Sequence, residues 1–334
     1  MHPNPPYLGD TTSNLAIVFS PPFSRSLRLQ QSYPNYSIPT TVPSEEVPTF
    51  VPDSSLIILN QTMSLTTFPL FKSTCALRQQ LQQQQKAEYN VTSSIALRNQ
   101  RIGWSSEFII RNLTPATNYT IYLTQGPKLS GPLHILTKSS DFPCTMAHSL
   151  PYCPAVSYPI PLAPPSPGSI YDFTNLPNSI SSSILASLDN FSRTLLTFPC
   201  GRDLYSPLKT CADCFDAYQE WVCAISIPRC AEPSVQETSI QLPLITREEG
   251  SNPRSTGFPK FATSYNELLP CIETCSAVVR SCPPFLGWQC PSPKTNAAQS
   301  YGIGFIDSLD GLREHGGVTG LATDRWGNMW CNGV

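Results

Sequence analysis

The residues of this chain whose type and spacing could do chemistry are its cysteines. Thirteen occur in 334 residues, and ten of them lie from position 200 onward: Cys200, Cys211, Cys214, Cys223, Cys230, Cys271, Cys275, Cys282, Cys290 and Cys331. Cysteines at this density either pair as disulfides or bind a metal such as zinc. Cys211 and Cys214 have the spacing of a zinc knuckle or a redox pair, but Cys223 and Cys230 follow at longer spacings than a zinc site prefers. We therefore predict a disulfide framework, and the metal site is the alternative.

Twelve of the cysteines are predicted to pair. Cys144 and Cys153 are close enough in sequence to bridge a loop, and the ten from Cys200 onward would make five pairs. Cys75 is left over, as a free or intermolecular thiol or as an inert buried one. The sequence alone does not give the connectivity among the ten.

A disulfide framework indicates an oxidising compartment, which is reached through the secretory pathway. Six Asn-x-Ser/Thr sequons agree with this, since the lumen is where such asparagines are glycosylated. The sequons begin at Asn35, Asn60, Asn90, Asn112, Asn118 and Asn190. Residues 1–20 lack the charged and apolar regions of a signal peptide. We expect the true N-terminus to be missing from this sequence, with unconventional export as the alternative.

Composition and motifs exclude several classes of function. The net charge of −2, with 13% charged residues, provides no basic surface for nucleic acid or anionic lipid. The sequence has no apolar run near the roughly 20 residues that span a bilayer, so we expect membrane association through a partner. The four histidines are scattered, and no Gly-x-Ser-x-Gly elbow, complete dinucleotide loop or regular calcium loop occurs. We predict no enzyme, no cofactor and no metal.

The first half of the chain divides into two regions. Residues 1–46 have no periodicity and are predicted to be a flexible segment. Residues 47–138 contain short β-rich runs separated by turn residues, which predicts a β-sandwich-like, glycosylated domain. Within it, Leu113–Leu123 resembles the corner of fibronectin type III domains, in which a buried tyrosine bonds to upstream backbone. Tyr119 would be that tyrosine, with Ile121 and Leu123 also inward and Asn118, Thr120 and Tyr122 outward.

Residues 139–334 are predicted to form a mainly helical, disulfide-rich domain. An apolar stripe indicates a helix over residues 179–197. A second helix would begin at Ser206-Pro207 and carry Cys211 and Cys214. A third helix would run from 266 to 281. A long loop is predicted at 231–270, and it overlaps the first residues of this helix. The fold class predicted for the whole chain is therefore α+β.

Five segments of this second region are distinctive for their cysteines and the residues around them: Asp141–Cys144, Leu150–Tyr158, Phe198–Cys200, Cys211–Cys230 and Pro270–Pro284. Together they show a resemblance to the Mid family of fungal channel subunits. It covers about residues 140–331, and the β-rich part upstream fits more loosely. More distantly, the region resembles the ancillary subunit of the animal sodium-leak channel and the Frizzled cysteine-rich domain, a helical fold with five disulfides.

Membership of this family implies an extracellular, non-pore regulatory subunit of a stretch-activated calcium channel. The partner would be a Cch-type pore subunit, in the plasma membrane or the endoplasmic reticulum membrane. For the contact surface we expect the 231–270 loop and the Trp326–Trp330 tail. Two other hypotheses stay open: a Frizzled-type module that binds lipid or glycan or mediates adhesion, and a secreted hydrolase.

Overall fold

The computed structural model describes residues 5–24, 47–60, 89–98, 103–126, 128–200, 202–233, 244–292, 294–306, 320–321 and 330–333. The described residues up to Phe142 form one compact unit, here called the β unit. Those from Pro143 onward form a second, here called the cysteine-rich unit. The chain has both sheets and helices, so the predicted α+β class is confirmed.

Seven antiparallel strands build the β unit. They are β1 (Tyr7–Thr11), β2 (Leu15–Phe19), β3 (Ser54–Asn60), β4 (Asn90–Leu97), β5 (Trp104–Arg111), β6 (Asn118–Gln125) and β7 (Lys128–Leu136). One sheet has the order β1-β2-β5-β4 and the other has the order β3-β6-β7. Val18 and Ile110 of the first sheet lie in one buried cluster with Ile58, Ile121 and Ile135 of the second. The apolar faces of both sheets thus share a single core.

The first two strands correct the prediction that residues 1–46 are flexible. Leu15–Phe19 is buried at every position and pairs with both β1 and β5, so it is a central strand. A strand covered on both faces has a continuous apolar run and not an alternating one. The run Leu15–Phe19 therefore shows no alternation of apolar and polar residues. Residues 25–46 lie outside the described residues, as do residues 61–88 of the region predicted to be β-rich.

The predicted tyrosine corner is present in β6. The backbone N–H of Thr114 donates to the Tyr119 hydroxyl over 2.8 Å, and Tyr119, Ile121 and Leu123 are buried as expected. The outward half of the prediction is wrong for Thr120 and Tyr122, which are also buried. Tyr122 packs in a second small cluster with Ile57 and Leu59 of β3. This cluster covers the other face of the sheet, which a simple alternation rule cannot anticipate.

Helices dominate the cysteine-rich unit, together with short strands. The helices are α1 (Asn178–Leu195), α2 (Cys211–Ser226), α3 (Ile272–Ser281) and α4 (Ala297–Ser300), with one 3-10 turn at Pro284–Leu286. The strands are β8 (Thr145–Ala147), β9 (Tyr158–Ile160), β10 (Arg229–Ala231), β11 (Leu244–Arg247), β12 (Tyr265–Leu268), β13 (Phe305–Ile306) and β14 (Gly320–Leu321). Among the residues described, no helix combines the length and the apolar character needed to cross a bilayer.

The apolar stripe predicted for the first helix is confirmed. Ile180, Ile184, Leu188 and Leu195 are all buried on one face of α1. The next helix begins later than predicted, because its cap is Thr210 and not Ser206. Thr210 and Asp213 form a capping box: the Asp213 N–H donates to the Thr210 hydroxyl, and the Asp213 carboxylate accepts from the Thr210 N–H.

The segment predicted as a long loop and the start of a third helix is largely a sheet. β12 lies between β10 and β11, and the helix begins only at Ile272. Tyr265, Glu267 and Leu268 are buried. An alternation of apolar and polar residues over so short a strand is a weak sequence signal. The polar residues around it therefore favoured the prediction of a loop. Residues 234–243 lie outside the described residues.

Candidate functional site

Six disulfides hold the cysteine-rich unit together, using the twelve cysteines from Cys144 to Cys331. The pairs are Cys144–Cys230, Cys153–Cys223, Cys200–Cys211, Cys214–Cys282, Cys271–Cys331 and Cys275–Cys290. Their Cα–Cα distances lie between 4.5 and 6.4 Å, which is the ordinary range for a disulfide. Cys75 lies outside the described residues.

The predicted Cys144–Cys153 bridge is wrong. Cys144 is joined to Cys230, 86 residues away, and Cys153 to Cys223, 70 residues away. Cys144 directly precedes β8, which pairs with β9, and β9 lies against β10, the strand that contains Cys230. Only four of the six pairs therefore lie within the ten cysteines from Cys200 onward. Strand pairing, and not closeness in sequence, decides this connectivity.

Helix α2 is the central element of the framework because three of its residues are half-cystines. Cys211 binds the segment that follows α1, Cys214 binds the end of α3, and Cys223 binds the β8–β9 connection through Cys153. Cys211 and Cys214 thus have different partners, so the zinc or redox alternative for this pair is wrong. Their thiols are consumed in separate covalent bonds.

The last described residues form a second attachment point in this unit. Cys271 at the start of α3 is bonded to Cys331, and the next residue, Asn332, is completely buried. The Asn332 amide donates to the carbonyl oxygen of Ala224 at 3.1 Å and to the Tyr158 hydroxyl at 3.2 Å. A Cβ on Gly302 would stand 2.7 Å from the Cβ of Cys331, so only glycine fits there. The tail is therefore part of the fold.

One group of possible metal ligands occurs here among the described residues: Cys271, Glu273 and Cys331. The two sulfur atoms are bonded to each other, so neither is available as a thiolate ligand. The Glu273 carboxylate accepts from the Gly304 N–H at 3.0 Å. The group is a structural contact and not a metal centre.

An aromatic cluster packs along α1 and α2. Phe191 and Tyr218 stack with ring centroids 3.7 Å apart, and Trp221 meets Trp288 edge to face at 4.7 Å. The Trp221 indole N–H donates to the Tyr301 hydroxyl at 3.0 Å. Burial raises the pKa of Tyr218 above its ordinary value. These rings pack the two helices against each other.

Charged side chains in and beside the three-stranded sheet have partners inside the fold. Arg247 of β11 lies 2.7 Å from the buried Glu267 carboxylate of β12. Arg254 donates to the carbonyl oxygen of Ser300 at 2.7 Å, and burial lowers the pKa of its guanidinium. Burial also raises the pKa of Tyr265 to about 12. The predicted contact loop thus includes a structural ion pair with one partner completely buried.

Several exposed apolar side chains of the cysteine-rich unit lie between the end of α1 and the start of α2, and Phe285 follows α3. Leu204 and Leu208 are 79% and 85% exposed, and Phe285 is 57% exposed. The Phe198 ring lies 5.7 Å from that of Phe285 and 5.6 Å from that of Tyr205, which directly follows Leu204 in the chain. We call Leu196, Phe198, Leu204, Leu208 and Phe285 the apolar patch.

Comparison with known proteins then decides the family. Residues 2–311 match the family Mid1, described as "Stretch-activated Ca2+-permeable channel component". The chain belongs to the Mid1 family. The resemblance inferred from the cysteine runs is therefore confirmed, and it extends over the β unit as well.

Three curated relatives are similar to this Mid1-family chain. The stretch-activated cation channel MID1 of Cryptococcus neoformans var. grubii is 32% identical over 98% of this chain and 59% of its own length. MID1 of Saccharomyces cerevisiae is 33% identical over 56% of this chain and 35% of its own length. Stretch-activated cation channel yam8 of Schizosaccharomyces pombe is 29% identical over 67% of this chain and 46% of its own length. The chain spans about 59% or less of the relatives it matches. No solved structure matches it.

The sequons of this Mid1-family chain differ in how accessible their asparagines are. Asn90, Asn112 and Asn190 are exposed, whereas Asn60 and Asn118 are half-buried. The Oδ1 atom of Asn118 is buried without a hydrogen-bond partner in the described part of the chain. Asn35 lies outside the described residues. Glycosylation at these positions stays a prediction.

The contact surface predicted from sequence stays a prediction. Trp326 lies outside the described residues, and Trp330 is half-buried beside the buried Cys331. The apolar patch was not predicted from the sequence, although the sequence contains a signal for it. Leu204 and Leu208 stand in a short polar, proline-containing segment where an apolar side chain has no core to enter.

Proposed function

We propose that this chain is a non-pore regulatory subunit of a plasma-membrane calcium channel and acts with a Cch-type pore-forming subunit. The observation that carries the proposal is a cysteine-rich unit held by six disulfides in a chain of the Mid1 family of channel components. Disulfides persist where thiols are oxidised, so the unit would work on the extracellular face, with passage through the endoplasmic reticulum. The six sequons support the same route.

The proposed mechanism is a shift of the channel's gating equilibrium. A subunit favours opening only to the extent that it binds the open state more tightly than the closed state. A rigid binding surface preserves this difference in affinity between the two states, because little free energy is lost in ordering the surface when it binds. The disulfides, the buried tail and the stacked rings of the cysteine-rich unit provide this rigidity. We further propose that this unit is a Frizzled-like cysteine-rich domain, with the helices α1 to α3 as its body.

The test is to reconstitute the pore subunit in bilayers with and without the full chain and record single-channel currents. A regulatory subunit should change the open probability and leave the unit conductance and the ion selectivity as they were. A double variant, Cys214→Ala with Cys282→Ala, removes the bond between α2 and α3 and should lose the effect. Ser182→Ala, on the exposed face of α1, is the matched control and should keep it. Currents carried by the chain alone would refute the non-pore role.

A further inference from the structure

The apolar patch has an exposure that the fold itself does not explain. Leu204 and Leu208 leave more than three quarters of their surface in water, and Leu196 and Phe285 about half. Burying such a side chain in an apolar environment is favourable, and the fold does not bury these four. Single exposed apolar residues are common, but a group of them on one surface marks an interaction site.

The patch is also held rigidly. Cys200–Cys211 closes the segment that contains Leu204 and Leu208. Within that segment, the Tyr205 hydroxyl shares its proton between the carbonyl oxygens of Thr210, at 2.6 Å, and Ser281, at 2.5 Å. This second contact ties the segment to the end of α3. A partner that binds here meets a preformed surface.

Two arginines near the patch are neutralised by neighbouring carboxylates. Arg193 lies 2.8 Å from Asp189, one turn earlier in α1, and Arg202 lies 2.9 Å from Asp203. Both pairs are largely exposed, so they contribute little to stability. These four residues therefore contribute no net charge at the border of the apolar patch.

The remaining cations give the border a positive charge. The side chains of Lys209 and Arg280 make no hydrogen bond or ion pair to another described residue, and Arg280 is exposed directly before Ser281. The nearby Asp213 carboxylate is directed to the Thr210 cap of α2. An apolar surface bordered by unpaired cations is complementary to an apolar segment bordered by carboxylates.

We infer that the apolar patch is the surface on which the pore-forming subunit docks, through an apolar extracellular segment flanked by aspartate or glutamate. The inference rests on the proposed function. Cation channels carry rings of carboxylates at their entrances, which is the charge that Lys209 and Arg280 would meet. A protein partner is favoured over a second copy of this chain, because two copies would bring the same cations together.

The decisive experiment is copurification from fungal membranes of the full chain, expressed behind a secretory signal, with the pore subunit. The double variant Leu204→Asp with Leu208→Asp should lower recovery of the pore subunit by about tenfold or more, since central apolar anchors dominate interface energies. Its secreted amount and thermal midpoint should match the unmodified chain, because both side chains lie in water. Arg280→Glu with Lys209→Glu should lower recovery as well and weaken its dependence on salt.

Ile303→Asp is the matched control. Ile303 is 57% exposed and follows Gly302, which bonds to the start of α3. The patch lies at the other end of this ten-residue helix, about 15 Å away along its axis. The control should recover the pore subunit as the unmodified chain does.

A photo-crosslinking residue at position 208 identifies the occupant. The expected product joins the chain to an apolar, carboxylate-flanked segment of the pore subunit. Crosslinks to a second copy or to lipid would overturn the inference. Equal recovery by the unmodified chain and the Leu204→Asp, Leu208→Asp variant would also overturn it but leave the proposed function intact. If the unmodified chain recovers no pore subunit, the proposed function itself fails.

Discussion

Single buried polar groups fix the backbone at two places in this protein. The Tyr119 hydroxyl accepts from the Thr114 N–H and holds the turn that enters β6. Asn332 is completely buried and bonds to backbone and side-chain oxygens of Ala224 and Tyr158. A buried amide or hydroxyl is costly unless it is hydrogen-bonded, so these contacts select one arrangement of the chain.

At this scale we predict that Tyr119→Phe lowers the free energy of unfolding of the β unit by about 1–2 kcal/mol, since the Thr114 N–H loses its acceptor. Tyr122→Phe is the matched control, on the opposite face of the same strand. The Tyr122 hydroxyl makes no hydrogen bond to a described residue, so this variant should change stability by less than about 0.5 kcal/mol. Urea unfolding followed by fluorescence measures both. Equal losses in the two variants would mean that the hydroxyl bond does not hold the corner.

Among the elements, helix α2 has the largest structural role. Its start is defined by the capping box of Thr210 and Asp213, and its buried face contains Cys214, Val222 and Cys223. The cap sets where the helix begins, so that Cys211 is its first residue. A helix that began at Ser206 would include residues 207–210, which lie outside α2.

We therefore predict that Thr210→Ala destabilises the cysteine-rich unit by about 1 kcal/mol, the usual cost of losing a threonine cap. Ser206→Ala removes a hydroxyl whose contact, with the Leu208 N–H, is exposed. Its effect should stay below about 0.5 kcal/mol. Thermal unfolding of the oxidised chain compares the two variants. A larger loss for Ser206→Ala would restore the helix start expected from sequence.

In the whole molecule, long-range bonds dominate the cysteine-rich unit. Four of its six disulfides join residues 60 or more positions apart, the widest being Cys144–Cys230 at 86. Constraining long loops of the unfolded chain stabilises a fold by roughly 4 kcal/mol per bond in the chain-entropy model.

The connectivity is directly measurable. We predict that digestion with trypsin and chymotrypsin under non-reducing, acidic handling yields a peptide containing Cys144 bonded to one containing Cys230. Chymotrypsin cleaves after Tyr152 and so separates Cys144 from Cys153. Mass spectrometry before and after reduction identifies the partners. A bond between Cys144 and Cys153 would contradict the structure and support the local loop expected from sequence.

The amino-acid sequence by itself determined the fold class, the apolar stripe of α1, the Tyr119 corner, the family and the set of twelve cysteines that pair. Each of these depends on residue types at short, regular spacing or on runs that recur within a family. The cysteine partners, the buried strand Leu15–Phe19, the sheet within the predicted loop and the apolar patch were decided only by the tertiary structure. These features depend on which distant segments meet, and a pairing across 86 residues leaves no local pattern in the sequence.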